Sequence, residues 1–128
     1  MEQSYMNNCY VMEYLYRDAN NFKAFGQILL SGKVSEDYIA QIKSSLDFGE
    51  YFVAEQVDVP VLYPQLWQYS NGPTAADHAY HELAGIHPAS EREIESMTLW
   101  GEASTLLDNF LNSAQHWNCS LSVHCSSL

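Results

Sequence analysis

Hydrophobic and polar positions alternate along residues 10–17, Tyr-Val-Met-Glu-Tyr-Leu-Tyr-Arg, and predict a strand. Its side chains divide by parity. Met12, Tyr14 and Tyr16 fall on one face; Val11, Glu13, Leu15 and Arg17 fall on the other. Asp18-Ala19-Asn20-Asn21 is a turn, and 22–31 a second strand in which Gly26 marks a bulge or a close approach of neighbouring chain. The pattern then changes to helical spacing. Ser35 caps a helix over about 35–48, with Glu36 and Asp37 in its first turn, Tyr38/Ile39, Ile42 and Leu46 on its apolar side, and Gly49 as its stop. Residues 50–57 read as a third strand. Pro60, Pro64 and Gly72-Pro73 exclude any long element over 58–76, although the stretch is rich in apolar side chains. Residues 77–84 fit either a fourth strand or one short helix. Ser90 and Glu93 form a capping box that opens a helical segment over 90–115, with Gly101 as the point where two helices would join. Residues 119–125 alternate like a strand or belong to a frayed tail; 1–9 and 126–128 are read as frayed.

These elements predict a small two-layer α+β domain spanning residues 1–128. A mostly antiparallel sheet with an N-terminal hairpin is covered by helices at about 35–48 and 90–115. Trp100, Leu107 and Phe110 are expected to point at the sheet.

Composition narrows the function classes. The chain holds 5 Lys+Arg against 16 Asp+Glu, a formal net charge of -11, yet 47% of it is hydrophobic, so it is no disordered acidic tail. The five basic residues are scattered, which excludes a phosphate-binding surface for nucleic acid. No apolar run approaches a membrane span, the start lacks signal-peptide character, and three cysteines make no paired framework. A cytoplasmic protein without a cofactor is the resulting expectation.

Two clusters could carry chemistry. In Asp77-His78-Ala79-Tyr80-His81-Glu82, a helix would bring His78, His81 and Glu82 to one face, where they could hold a metal or act as acid and base. A strand would split His81 from His78 and Glu82. The plainer reading is a polar strand end. His116, Cys119, His124 and Cys125 have zinc-ligand chemistry but irregular spacing. No nucleophile elbow or phosphate-cradling glycine loop is present. Other features suit protein binding. Tyr63, Trp67 and Tyr69 beside prolines are interface residue types, and Glu91, Glu95 and Glu102 belong to an acidic surface that would attract basic proteins. The same features could instead serve as a lid on the core and a solubilising face.

The runs Tyr14-Leu15-Tyr16-Arg17-Asp18-Ala19-Asn20-Asn21-Phe22-Lys23, Gly49-Glu50-Tyr51-Phe52, Glu55-Gln56-Val57 and Asp77-His78 through His81-Glu82-Leu83 together form a recognisable pattern. It resembles a family of small bacterial and mobile-element proteins to which no function is attached. The resemblance spans about residues 14–83; a Trp is common in that family where Tyr80 stands, and the segment after residue 84 varies. It implies a recurring fold for the first part of the chain and no activity. It also singles out a polar cluster, Arg17, Asp18, Lys23, His81 and Glu82, expected to meet across the sheet.

The leading expectation is a non-catalytic acidic protein-binding module that engages a basic protein surface. Its sharper form is a phage or mobile-element inhibitor of a nucleic-acid-handling defence complex, resembling an anti-CRISPR protein. The alternatives are a small metal-dependent or acid–base enzyme centred on His78, His81 and Glu82, and a self-associating structural protein that forms a homodimer.

Overall fold

The computed structural model describes residues 8–17, 22–62, 64–65 and 80–117. Among these residues five strands and four helices follow one another as β1 (Cys9–Arg17), β2 (Lys23–Ser31), α1 (Glu36–Ser45), β3 (Tyr51–Val53), α2 (Ala54–Val57), β4 (Tyr80–Pro88), α3 (Glu91–Ser96), β5 (Leu99–Glu102) and α4 (Ala103–Ser113). The strands form one sheet in the order β3-β4-β1-β2-β5. Every neighbouring pair is antiparallel except β2 with β5. The α+β class and the N-terminal hairpin are therefore as the periodicity predicts.

The parity of β1 organises the packing. Met12, Tyr14 and Tyr16 are buried on one face, opposite Ile28, Gly26 and Ala24 of β2. Tyr38, Ile42 and Leu46 from α1 and its exit, and Ala103, Leu106 and Phe110 from α4, fill the core over this face. The helix ends are secured locally. The Ser35 hydroxyl accepts from the Tyr38 N–H at 3.1 Å, and the buried Tyr38 hydroxyl donates to the Ala103 carbonyl at 2.6 Å, tying α1 to α4. Burial raises the Tyr38 phenol pKa well above its ordinary value, so it remains a donor. Among the described residues no buried side-chain nitrogen or oxygen lacks a partner. Phe110 is fully buried, whereas Trp100 and Leu107 pack half-buried against the same cluster.

Several segments depart from the periodicity. Helix α1 ends at Ser45, and Leu46 turns extended so that its side chain enters the core. Gly49 therefore stops no helix. It sits at φ 73 beside Phe48 at φ 53 in a tight turn, where the Asp47 carbonyl accepts from the Glu50 and Tyr51 N–H groups. The third strand is three residues long rather than eight. Ala54-Glu55-Gln56-Val57 turns helical, which buries Ala54 and Val57 one turn apart and leaves Glu55 exposed. Segment 77–84 contributes a strand, which begins at Tyr80 and runs on to Pro88. The 90–115 segment is not helical throughout: Gly101 lies inside β5, between α3 and α4. Gly26 is a close approach, because a Cβ there would stand 2.7 Å from Leu62 Cδ2. The register shifts fall elsewhere, next to Ala84 in β4 and Trp100 in β5. Tyr63, Trp67, Tyr69, Asp18, Asp77, His78 and the 119–125 pattern lie outside the described residues.

The helices also divide between faces. Ile94 and Met97, in and just after α3, pack on Val11, Leu29 and Ala89, on the side away from α1 and α4. One end of the second sheet face is thus covered by α3 as well.

Candidate functional site

Strand alternation decides the fate of the histidine–carboxylate cluster. His81 points into the core and Glu82, its neighbour, points to the opposite face. The His81 ring is fully buried, with centroids 5.3 Å from Tyr16, 5.9 Å from Phe52 and 6.1 Å from Tyr14. Its Nε2 accepts from the Leu62 backbone N–H at 3.0 Å, so that nitrogen carries no proton. The Tyr14 hydroxyl donates to the Pro60 carbonyl at 2.6 Å. Together these bonds pin the segment holding buried Val59 and Leu62 to the sheet. His81 and Glu82 do not converge on a common ligand, which corrects the enzyme-type constellation for those two residues. Among the described residues no three His, Cys, Asp or Glu side chains are grouped to hold a metal ion.

The polar cluster of the family-like pattern forms in part. Arg17 Nε donates to Glu82 Oε2 at 3.0 Å across the sheet, as expected, and this bond further raises the pKa of the guanidinium. Lys23 is the backbone partner of Arg17 and is exposed. His81 faces away from all three, because it stands one residue from Glu82 in the regularly paired part of β4.

The second face of the sheet therefore collects the accessible chemistry. At its covered end, His87 Nδ1 lies 2.9 Å from the Pro88 carbonyl and Nε2 lies 2.8 Å from Glu13 Oε2, with Glu93 at 3.9 Å. Both ring nitrogens meet acceptors, an arrangement that only the imidazolium satisfies. The His87 pKa is accordingly raised, foremost by the Pro88 carbonyl, against a smaller desolvation effect and with help from Glu13 and Glu93. The Glu93 pKa is lowered, first by the Ser90 N–H in the capping box. A folded-state pKa above the ordinary 6.5 adds stability that is full below that value and is lost as the pH rises through the raised one. The destabilisation caused by His87→Gln should therefore be greater at about pH 5.5 than at about pH 8.5, as read by urea unfolding at both.

At its open end the face carries half-buried Leu15 and, directly opposite on β2, Phe25, which is 67% exposed. Glu13, Phe25, Gln27, Ala84, Met97 and Thr98 line a depression of ≈ 660 Å³ between this patch and the end of α3. Glu91 and Glu95 are exposed together on α3, while Glu102 stands apart at the β5 edge, beside Lys33. Three exposed aromatics, Phe22, Phe25 and Phe48, were not among the expected binding residues. The parity of β2 would have placed Phe25 with Lys23 and Gln27, away from Ala24, Ile28 and Leu30. Phe48, 86% exposed at the tip of its turn, has only the following Gly49 as a sequence signal. No helix among the described residues is long and apolar enough to cross a membrane. With this geometry in place, no family model, curated protein or solved structure matches the chain.

Proposed function

We propose that the protein is a non-catalytic binding module whose acidic surface engages a basic surface of another protein. The observation that carries this reading is Phe48. A bulky non-glycine residue at positive φ costs on the order of 1–2 kcal/mol. An aromatic ring left 86% exposed gains little of the free energy of burial. Both costs fall on one residue, at the tip of a turn between Asp47 and Glu50. A ring held out in an acidic collar suits insertion into an apolar pocket rimmed by Lys or Arg. The chain's charge of -11 would speed encounter with such a surface. Complexes that handle nucleic acid display basic grooves, so an inhibitor of a defence complex is the sharper form of the same proposal.

Phe48→Asn separates binding from folding, because asparagine tolerates the left-handed region. The variant should be more stable by about 1 kcal/mol. In affinity capture from the native host it should lose the basic partner that the parent chain retains, and the parent's binding should weaken as salt is added. Equal capture by both chains, or binding indifferent to salt, would refute the proposal.

A further inference from the structure

Helix α3 is held on the sheet by few contacts. None of its residues is fully buried. Its apolar attachment is Ile94, with Met97 just after it, half-buried against Val11, Leu29 and Ala89. Its polar attachment to the sheet runs through Glu93. One oxygen of that carboxylate closes the capping box by accepting from the Ser90 N–H at 2.8 Å. The other faces His87 Nε2 at 3.9 Å, and the same nitrogen lies 2.8 Å from Glu13 Oε2 on β1. Two carboxylates, one on the sheet and one on the helix, thus converge on one ring nitrogen. Their oxygens can be no further apart than those two distances together. Among the described residues, Glu13 from β1 and Glu93 from α3 are the charged groups that face the ring; Glu91, Arg92 and Glu95 are exposed on the same helix.

We propose that His87 is a proton-operated clasp on α3: the charged ring holds the helix on the sheet, and the neutral ring lets it lift. The imidazolium stands between the two carboxylates and attracts both. A neutral ring leaves them facing each other as like charges, and moving the helix relieves the repulsion, since Glu13 belongs to the sheet. The contacts of His87 with Glu13 and with the Pro88 carbonyl lie within the sheet and persist whether or not α3 is seated. Glu93 is therefore the group that couples the proton to the helix. The His87 pKa is raised above its ordinary 6.5, so the clasp is complete below that value and is lost as the pH rises through the raised one. Lifting α3 bares Val11 and Leu29 and takes Met97 out of the wall of the ≈ 660 Å³ depression that it shares with Phe25. The apolar area of this face thus grows with pH. Phe48 takes no part, so this inference and the proposed function can fail separately.

Hydrogen exchange of the Ile94 and Met97 amides, which donate to the Ser90 and Glu93 carbonyls, reads the clasp directly. Corrected for the intrinsic rise of exchange with pH, their protection should fall about two- to fivefold between about pH 5.5 and about pH 8.5, the size of one partly screened ion pair. Low urea should leave that protection unchanged while lowering the protection of the β1 amides, because α3 opens without the rest of the domain. Glu93→Gln can keep the capping box and should abolish the pH step. His87→Lys keeps the positive charge and should hold α3 at its acid-side protection at both pH values. Protection of Ile94 and Met97 that is independent of pH in the parent chain overturns the inference. So does a step that survives Glu93→Gln or His87→Lys, or α3 exchange that follows urea in parallel with β1.

Discussion

Replacing Phe110 with alanine should destabilise the domain by roughly 3–5 kcal/mol, a large share of what a domain of this size possesses. The ring is fully buried where α4 meets the sheet. It stacks edge-on to Phe52 at 5.2 Å and to Trp117 at 6.1 Å. Truncation removes its transfer free energy and leaves a void that the surrounding strands, held by their ladders, can only partly fill. Of the other α4 side chains only the fully buried Leu106 is of comparable weight. Asn109 donates to the Val57 carbonyl at 3.0 Å and Ser113 to the Gln56 carbonyl at 3.4 Å, each worth about 1 kcal/mol net. Urea unfolding of Phe110→Ala, with Leu111→Ala as control, measures the effect. Leu111 lies exposed one position along the same helix, and its loss should cost no more than about 0.5 kcal/mol. Similar values for the two would mean that α4 does not seal the core as described.

His81→Leu should cost at least about 1–3 kcal/mol for a different reason. Leucine refills much of the volume but supplies no acceptor, so the buried Leu62 N–H loses its partner. The ring's contacts with Tyr14, Tyr16 and Phe52 are lost as well. Hydrogen exchange distinguishes this local mechanism from general weakening: the Leu62 amide should exchange faster than the amides of β1 slow down or quicken with the global stability. His81→Gln, which can return an oxygen towards the same N–H, should recover part of the loss. Leu62 exchange unchanged in His81→Leu would show that the bond does not hold the 59–62 segment.

The strands and the site were legible to different depths. Parity along β1 identified the buried side of Met12, Tyr14 and Tyr16, and the Ser35 and Ser90 caps marked where two helices start, because these signals are local. The extents of β3 and β5 were not legible. A three- or four-residue strand exists only through its neighbour, and Tyr51–Val53 and Leu99–Glu102 pair with residues far along the chain. The Arg17–Glu82 contact was foreseeable from the polar cluster, whereas the separation of His81 from Glu82 awaited the choice of strand over helix. Phe48 eluded the reading for another reason: no propensity favours phenylalanine in the left-handed region.

The strand order has a consequence for how the protein comes into being. Tyr10 pairs with Leu30 nearby but also with Pro88, and Leu30 must wait for Gly101. The β1–β2 hairpin can close early during synthesis, yet both its outer edges and the apolar face of Met12, Tyr14, Tyr16, Ile28 and Leu30 stay bare until the last third of the chain arrives. A nascent chain is therefore most prone to aggregate in that interval, when a hairpin displays a finished template and its covering helix α4 has not yet been made.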